Sequence, residues 1–317
     1  MKNSQFMVLG SERKSIYFYR DYRDFRGGHL KVWHYYVHTK MSGQYNSSIY
    51  LTPSSCSDRG NPWRHECCLL DWNPEKADVL FLAGLDWQAV HSHCSVPVIN
   101  LIQGFRHAEP SDPRFQFLSR PAIRICVSMA VADAIHATGC VNGPVHVIPN
   151  GLPLSEFPPA AAQRDIPLLL MGQKDPALAS RLSDRMNQQG VEHVLHLKML
   201  PRPQFLDYLR RSVIVVLLPL ASEGFYLPAL EAMAMGCVVI CPDCIGNRHF
   251  CIDRVTCLRP ERTLHALADS VNEAHALSES DRLRMLRAGA VQVGLHDLGR
   301  ERDAYLSILG ALPCGNF

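Results

Sequence analysis

The sequence predicts an α/β protein of two consecutive domains, each built on a parallel sheet, and three observations carry that prediction. Apolar runs of strand length alternate with helix-forming stretches along most of the chain, the pattern of βα units. The alternation halts at Asn150-Gly151, a turn signal, passes through a segment at 152–165 holding three prolines, and then begins again. With 317 residues, 47% of them hydrophobic, the chain has the apolar content for two cores of ordinary domain size.

Residues 15–19 form a candidate first strand, although the polar residues before it are unusual for a buried one. Gly27 and Gly28 follow, then an aromatic-rich helix at 30–40 in which Trp33, Tyr35 and Tyr36 read as core. The short apolar runs 49–52, 79–83 and 98–103 have strand length, 123–128 is a further strand, and 129–138 a helix. Residues 145–149 close the first half, and the proline-rich segment 152–165 reads as a linker. The second half runs strand 168–171, helix 176–189, strand 193–197 and helix 203–211. A buried strand at 213–218 ends at Pro219; after the next helix come a strand at 238–241, two helices over about 263–294 and a last one over about 298–309.

The most informative stretch is EGFYLPALEAMAMG, residues 223–236. Pro228 suits the start of a helix, where a missing N–H costs nothing. The run 229–235 is rich in helix formers and Gly236 is a natural stop. The unit is therefore strand, loop, helix N-terminus. Unpaired N–H groups and a positive partial charge make that end a site for phosphate or diphosphate. Glu223 falls in the loop and Glu231 in the first turn, so both carboxylates can face one cleft. Beside a phosphate site, carboxylates suit the hydroxyls of a sugar or ribose, from which they accept hydrogen bonds.

The order Glu-Gly-Phe-x-Leu-Pro-x-x-Glu-Ala-Met-Ala-x-Gly resembles the E-x7-E signature of glycosyltransferase family four, retaining, nucleotide-sugar-dependent enzymes of the GT-B architecture. CVSMAVADAIHATG and GPVHVIPNGLPLSEF resemble that family's Val-Ser helix and Pro-Asn-Gly strand end, and GNRHFCID with the following TCL its loop and strand after the donor helix. The resemblance is good over about 123–258 and weak before it. It implies an α/β GT-B fold, two Rossmann-like βα domains facing a central cleft. Residues 1–150 would bind the acceptor and 151–296 the nucleotide-sugar, while 297–317 would return as a helix to the N-terminal domain.

Carried over position by position, the resemblance puts Glu231 on the ribose hydroxyls and Glu223 by the sugar ring. The backbone of Gly224, Phe225, Tyr226 and Leu227 would lie near sugar hydroxyls and diphosphate. Glycine at 224 suits a close approach of backbone to ligand. The family usually places Arg and then Lys after the first strand of this domain. Here MGQKDPALASR has Gln173 where Arg is common, so Gly172 and Lys174 are the candidates there, Lys174 for the leaving-group charge, with Arg181 a poorer one. Met199, Leu200 and Pro201 match the segment that meets the base, without the glycine common there. In IQGFRHAEP, the place of a histidine near the sugar, Gln103, Arg106, His107 and Glu109 are candidates to orient donor or acceptor. Gly27-Gly28-His29 resembles the first loop, where backbone approaches the phosphates.

The implied reaction moves a sugar from a nucleoside-diphosphate sugar to an acceptor hydroxyl with retained configuration. Cations and a helix N-terminus would stabilise the departing diphosphate. Metal-dependent transferases of another architecture use Asp-x-Asp for this, and none occurs here, so no metal and no other cofactor is expected. A nucleotide-sugar-binding module without catalysis and a sugar-nucleotide epimerase stay open as alternatives. So do the sugar, the base and the acceptor, whether glycan, lipid-linked sugar, small molecule, protein or modified nucleic acid.

Composition narrows the rest. A formal net charge of +2 describes a mildly basic protein without the charge of a nucleic-acid binder. No run approaches a membrane span, and residues 1–15 lack the apolar stretch of a signal peptide, so a cytoplasmic protein is expected, its twelve cysteines as free thiols. Cys237, Cys241 and Cys244 have the C-x3-C-x2-C spacing of a radical four-iron cluster, but GCVVICPD reads as a buried strand and its thiols as small hydrophobes. The groups His65, Cys67, Cys68 and His91, His93, Cys94 lack paired zinc-finger spacing.

Overall fold

The computed structural model describes residues 13–312 except 26, 160 and 162. The reading of residues 1–12 as lacking an apolar leader, and the last five residues of the 297–317 segment, lie outside the described residues.

Two parallel sheets form. The first takes β1 (Ser15–Arg20), β2 (Asn46–Leu51), β3 (Val79–Ala83), β4 (Val98–Ile102), β5 (Ile123–Cys126) and β6 (Val145–Val147) in the order β2-β1-β3-β4-β5-β6. The second takes β7 (Ile166–Met171), β8 (Val194–His196), β9 (Ser212–Leu217) and β10 (Val238–Ile240) in the order β10-β9-β7-β8. Both sheets repeat one winding, with the first strand between the second and third, so connections leave it in opposite directions. That reversal opens a crevice at the strands' carboxyl ends, where α/β sheets bind ligands. The two Rossmann-like domains present these crevices to each other.

The helices are α1 (Gly27–Met41), α2 (Met129–His136), α3 (Pro176–Gln188), α4 (Arg202–Arg211), α5 (Leu227–Ala234), α6 (Leu264–Ala276), α7 (Glu279–Leu295) and α8 (Leu298–Gly310). Local chemistry sets their ends. Ser128 accepts the Val131 N–H at 3.3 Å as the cap of α2, so β5 stops at Cys126 rather than running on to 128. Three connections depart from the expected alternation. Those from β2 to β3, β3 to β4 and β4 to β5 carry short 3-10 turns, such as Gly84–Ala89 and Phe105–Ala108, in place of helices.

Strand periodicity sorts the core. In β7 and β9, Leu169, Met171, Val215 and Leu217 pack into a core continuous with the N-terminal domain, whereas Leu168, Leu170, Ile214 and Val216 join a second core under α3 and α6. Tyr35 and Tyr36 are buried, and the Tyr35 ring meets Tyr305 of α8 edge-on at 4.9 Å, so these aromatics are core. Cys237, Cys241 and Cys244 are buried as well. Cys237 Sγ donates to the Leu209 carbonyl at 3.1 Å. Among the described residues no three His, Cys, Asp or Glu side chains are arranged to hold a metal, and no helix is long and apolar enough to cross a membrane.

α8 packs against α1 around a buried charge cluster. The Lys31 ammonium donates to Glu301 Oε2, to the Gly151 carbonyl at 3.1 Å and to His34 Nδ1 at 3.0 Å, using all three N–H groups. Glu301 also accepts the Gly151 N–H at 2.6 Å and lies 3.3 Å from His38 Nε2. Burial opposes ionisation of Glu301, yet Lys31 and these hydrogen bonds outweigh it and hold its carboxyl below the usual range. Burial pulls Lys31 below the ordinary lysine value, and Glu301 only partly restores it.

Candidate active site

The loops after β1, β4, β7, β8 and β9 converge on a cavity of about 500 Å³ between the domains, joined by a smaller one of about 340 Å³. Backbone contact closes the cleft: Gly104 and Glu223 form an antiparallel bridge, and Ser128 Oγ donates to the Gly224 carbonyl at 2.9 Å. A Cβ on Gly224 would stand 2.4 Å from the Gln103 carbonyl oxygen, so only glycine fits at this crossing.

α5 opens at Leu227, one residue before Pro228, and Tyr226 gives it no side-chain cap. Pro228 has no N–H and the Ala229 N–H goes to the Tyr226 carbonyl at 3.3 Å, which leaves the first-turn N–H of Leu227 for a ligand or water. Because the helix starts there, Glu231 is its fifth residue, one step past the expected first turn. Glu223, Phe225, Tyr226, Leu227 and Glu231 line the larger cavity, and Gly224 the smaller one. Phe225 is wedged among the rings of His249, Phe250 and His296 with centroids 5.3–5.6 Å away, which fixes the loop from behind.

Each motif carboxylate is held by a cation. Lys174, in the turn after β7, lies 2.5 Å from Glu223 Oε1. Arg202, the first residue of α4, lies 2.5 Å from Glu231 Oε1. Glu231 is only 3% exposed, and Arg202 is the cation that holds its carboxylate in place. Sequence reasoning missed Arg202. The available signal was a cation next to the Met199-Leu200-Pro201 segment at a helix start, but its contact with Glu231 spans 29 residues.

Several polar atoms in the cleft walls have no partner: Asn150 Oδ1, Gln173 Oε1, Arg202 Nη2 and both ring nitrogens of His107. Buried groups of this kind call for an explanation, and a ligand of matching polarity supplies one. His107 is 4% exposed, and the Gly104 backbone lies beside its ring without reaching hydrogen-bond geometry. Burial, then the Arg114 guanidinium, pushes its pKa down to about 4, so the ring is neutral at pH 7. Gln103, Arg106 and Glu109 line the smaller cavity with it, and Gln103 Nε2 donates to the Gly28 carbonyl at 3.3 Å.

Other expected positions fall differently. Gly27 and Gly28 form the first turn of α1 rather than a loop, so that helix's N-terminus faces the larger cavity. Leu200 lines the cavity beside Met199 and Phe205. Gly172 does not line it; a Cβ there would stand 2.1 Å from Ala179 Cβ, which makes it a packing glycine between β7 and α3. Arg181 lines the groove between α3 and α6, away from the cleft.

Fold and cleft together define the class: two Rossmann-like domains in the GT-B arrangement, with the strand–loop–helix unit of the second domain at the cleft. Residues 152–276 match the family described as glycosyl transferases group 1. Among solved structures, HepE from Anabaena, crystallised with UDP-glucose, superposes with a TM-score of 0.74 at 12% identity, covering 95% of this chain and 100% of that one. Sucrose-phosphate synthase from Thermosynechococcus elongatus gives 0.69 at 14% identity, covering 94% and 100%. A glycosyltransferase from Rickettsia africae gives 0.65 at 14%, covering 94% and 98%. No curated protein sequence matches the chain.

Proposed function

We propose that this protein is a retaining glycosyltransferase that moves a sugar from a nucleoside-diphosphate sugar to an acceptor hydroxyl without a metal. The observation that carries the reading is the pair of carboxylates, Glu223 and Glu231, each held by a cation at 2.5 Å beside an uncapped helix start in one interdomain cavity. The group 1 match over 152–276 and a neighbour crystallised with UDP-glucose support the donor class.

The chemistry follows from the leaving group. As the bond from the anomeric carbon to the diphosphate breaks, negative charge builds on the phosphate oxygens. Lys174 and the Leu227 N–H at the start of α5 stabilise that charge in place of water. Glu223, relieved of Lys174, accepts hydrogen bonds from sugar hydroxyls, and Glu231 accepts from the ribose. His107, neutral and unpartnered, offers a ring N–H or a lone pair to the sugar or acceptor. Retention and metal independence rest on the E-x7-E resemblance and on the lack of Asp-x-Asp. The described cysteines are free thiols, which fits a cytoplasmic protein.

The test is release of nucleoside diphosphate from UDP-, GDP- and ADP-sugars, with water as acceptor. The reading expects one donor to be hydrolysed slowly and Glu223→Gln to lower that rate by about 10²-fold or more. Full activity in Glu223→Gln would remove Glu223 from the site. Nucleotide binding without turnover would favour a module without catalysis.

A further inference from the structure

We propose that Arg202 reads the nucleotide ribose jointly with Glu231, as a positioning residue of the donor site. The inference rests on the donor-site reading above.

The Glu231 side chain is 4% exposed and Arg202 Nη1 lies 2.5 Å from its Oε1. A carboxylate that deep is oriented by its partner. The contact occupies one terminal nitrogen of the guanidinium; the other, Nη2, is buried without a partner, although Arg202 lines the cavity. Because a guanidinium is planar, Nη2 is held in fixed register with the carboxylate that Nη1 grips. The guanidinium carbon sits 5.8 Å from the Phe157 ring centroid, which limits its swing.

An acceptor and a donor in fixed register suit a vicinal diol. The hydroxyls donate to Glu231, and a hydroxyl oxygen accepts a hydrogen bond from Nη2. A diphosphate at this spot would meet the Glu231 charge; a base edge also offers donors and acceptors, and comparison with deoxy nucleotides separates it from the ribose. Lys174, paired with Glu223 at 2.5 Å, is the cation placed for the phosphates, and Gln173 adds no charge there.

Calorimetric titration of UDP, GDP and ADP, each with its 2′-deoxy and 3′-deoxy form, tests this in the wild type, Arg202→Met and Arg202→Lys. The wild type is expected to prefer one ribonucleotide over a deoxy form by about ten- to hundredfold. Arg202→Met should bring that preference close to one. Arg202→Lys, which keeps a charge beside Glu231 but loses the second N–H, should melt like the wild type and lose most of the preference. A purely structural role would weaken ribo and deoxy forms equally; a preference unchanged in both variants overturns the inference. Wild-type binding with no ribose preference also overturns it and leaves the donor site standing. No binding of any of the three nucleotides overturns the donor-site reading and this inference with it.

Discussion

Glu301→Ala should be strongly destabilising, because it breaks the buried pair with Lys31, which lines the larger cavity. The side chains of Lys31 and Glu301 are 1% and 0% exposed, so the pair is shielded from water. Removing Glu301 leaves the ammonium with two neutral acceptors, His34 and the Gly151 carbonyl, and strips the Gly151 N–H of its partner. Breaking a buried pair from one side costs about 3–5 kcal/mol. At roughly 2–4 °C per kcal/mol, the melting midpoint should fall by about 6–20 °C. Lys31→Met/Glu301→Leu removes both charges and should recover to within about 1–2 kcal/mol of wild type, as paired replacements of buried ions do. The pH sign follows from the depressed carboxyl of Glu301. Its contribution is present above the unfolded carboxylate pKa of about 4.3 and is lost as pH falls through the folded value. The gap between wild type and Glu301→Gln should therefore narrow in acid. Differential scanning calorimetry across pH 3–8 (a range spanning about 4.3) reads all of this. A single-variant cost under about 1 kcal/mol, or a double variant no better than Glu301→Ala, would refute the reasoning.

Gly224→Ala should destabilise by about 1–3 kcal/mol and abolish turnover, because its Cβ would stand 2.4 Å from the Gln103 carbonyl across the cleft; melting and donor hydrolysis measured together check it. His107 has its pKa lowered from 6.5 to about 4, so the folded state binds fewer protons than the unfolded one between those values. Acidification through that window should cost the wild type up to about 3 kcal/mol that His107→Gln does not lose, visible in urea titrations at several pH values. Lys174→Met should lower transfer by about 10²–10³-fold with little change in melting, since Lys174 and Glu223 are partly solvated. Steady-state kinetics with the active donor and a melting curve decide it.

The part of the site that was legible in the sequence is the part made by neighbours in the chain. Glu223, Pro228 and Glu231 sit in one strand–loop–helix unit, so periodicity and helix-end chemistry placed both carboxylates at the cleft before any tertiary contact was considered. Lys174 was legible through the resemblance, which places a basic pair after the first strand of this domain, and it lines the cavity as expected. Arg202 was not, since its role depends on how α4 packs against α5. The Lys31–Glu301 pair lay further out of reach, separated by 270 residues and joined only when α8 returns to α1. Arg124 in β5 is likewise held by distant partners: fully buried, it donates to Asn100 Oδ1 at 2.7 Å and to the Phe117 carbonyl at 3.0 Å. The 3-10 turns after β3 and β4 had no signal either; Trp87 and Phe117, one from each, stack with ring centroids 6.0 Å apart under the sheet.

A thermal-shift screen of the wild type and Glu231→Gln against UDP, GDP, ADP, dTDP and their sugar conjugates tests the donor site most directly. At about 100 times Kd, a ligand bound only by the folded state stabilises by about 2.7 kcal/mol, a rise of roughly 5–10 °C. The account predicts such a rise for one nucleoside diphosphate and its sugar conjugate in the wild type, and its loss in Glu231→Gln. No rise with any of them, or an equal rise in both proteins, would contradict it.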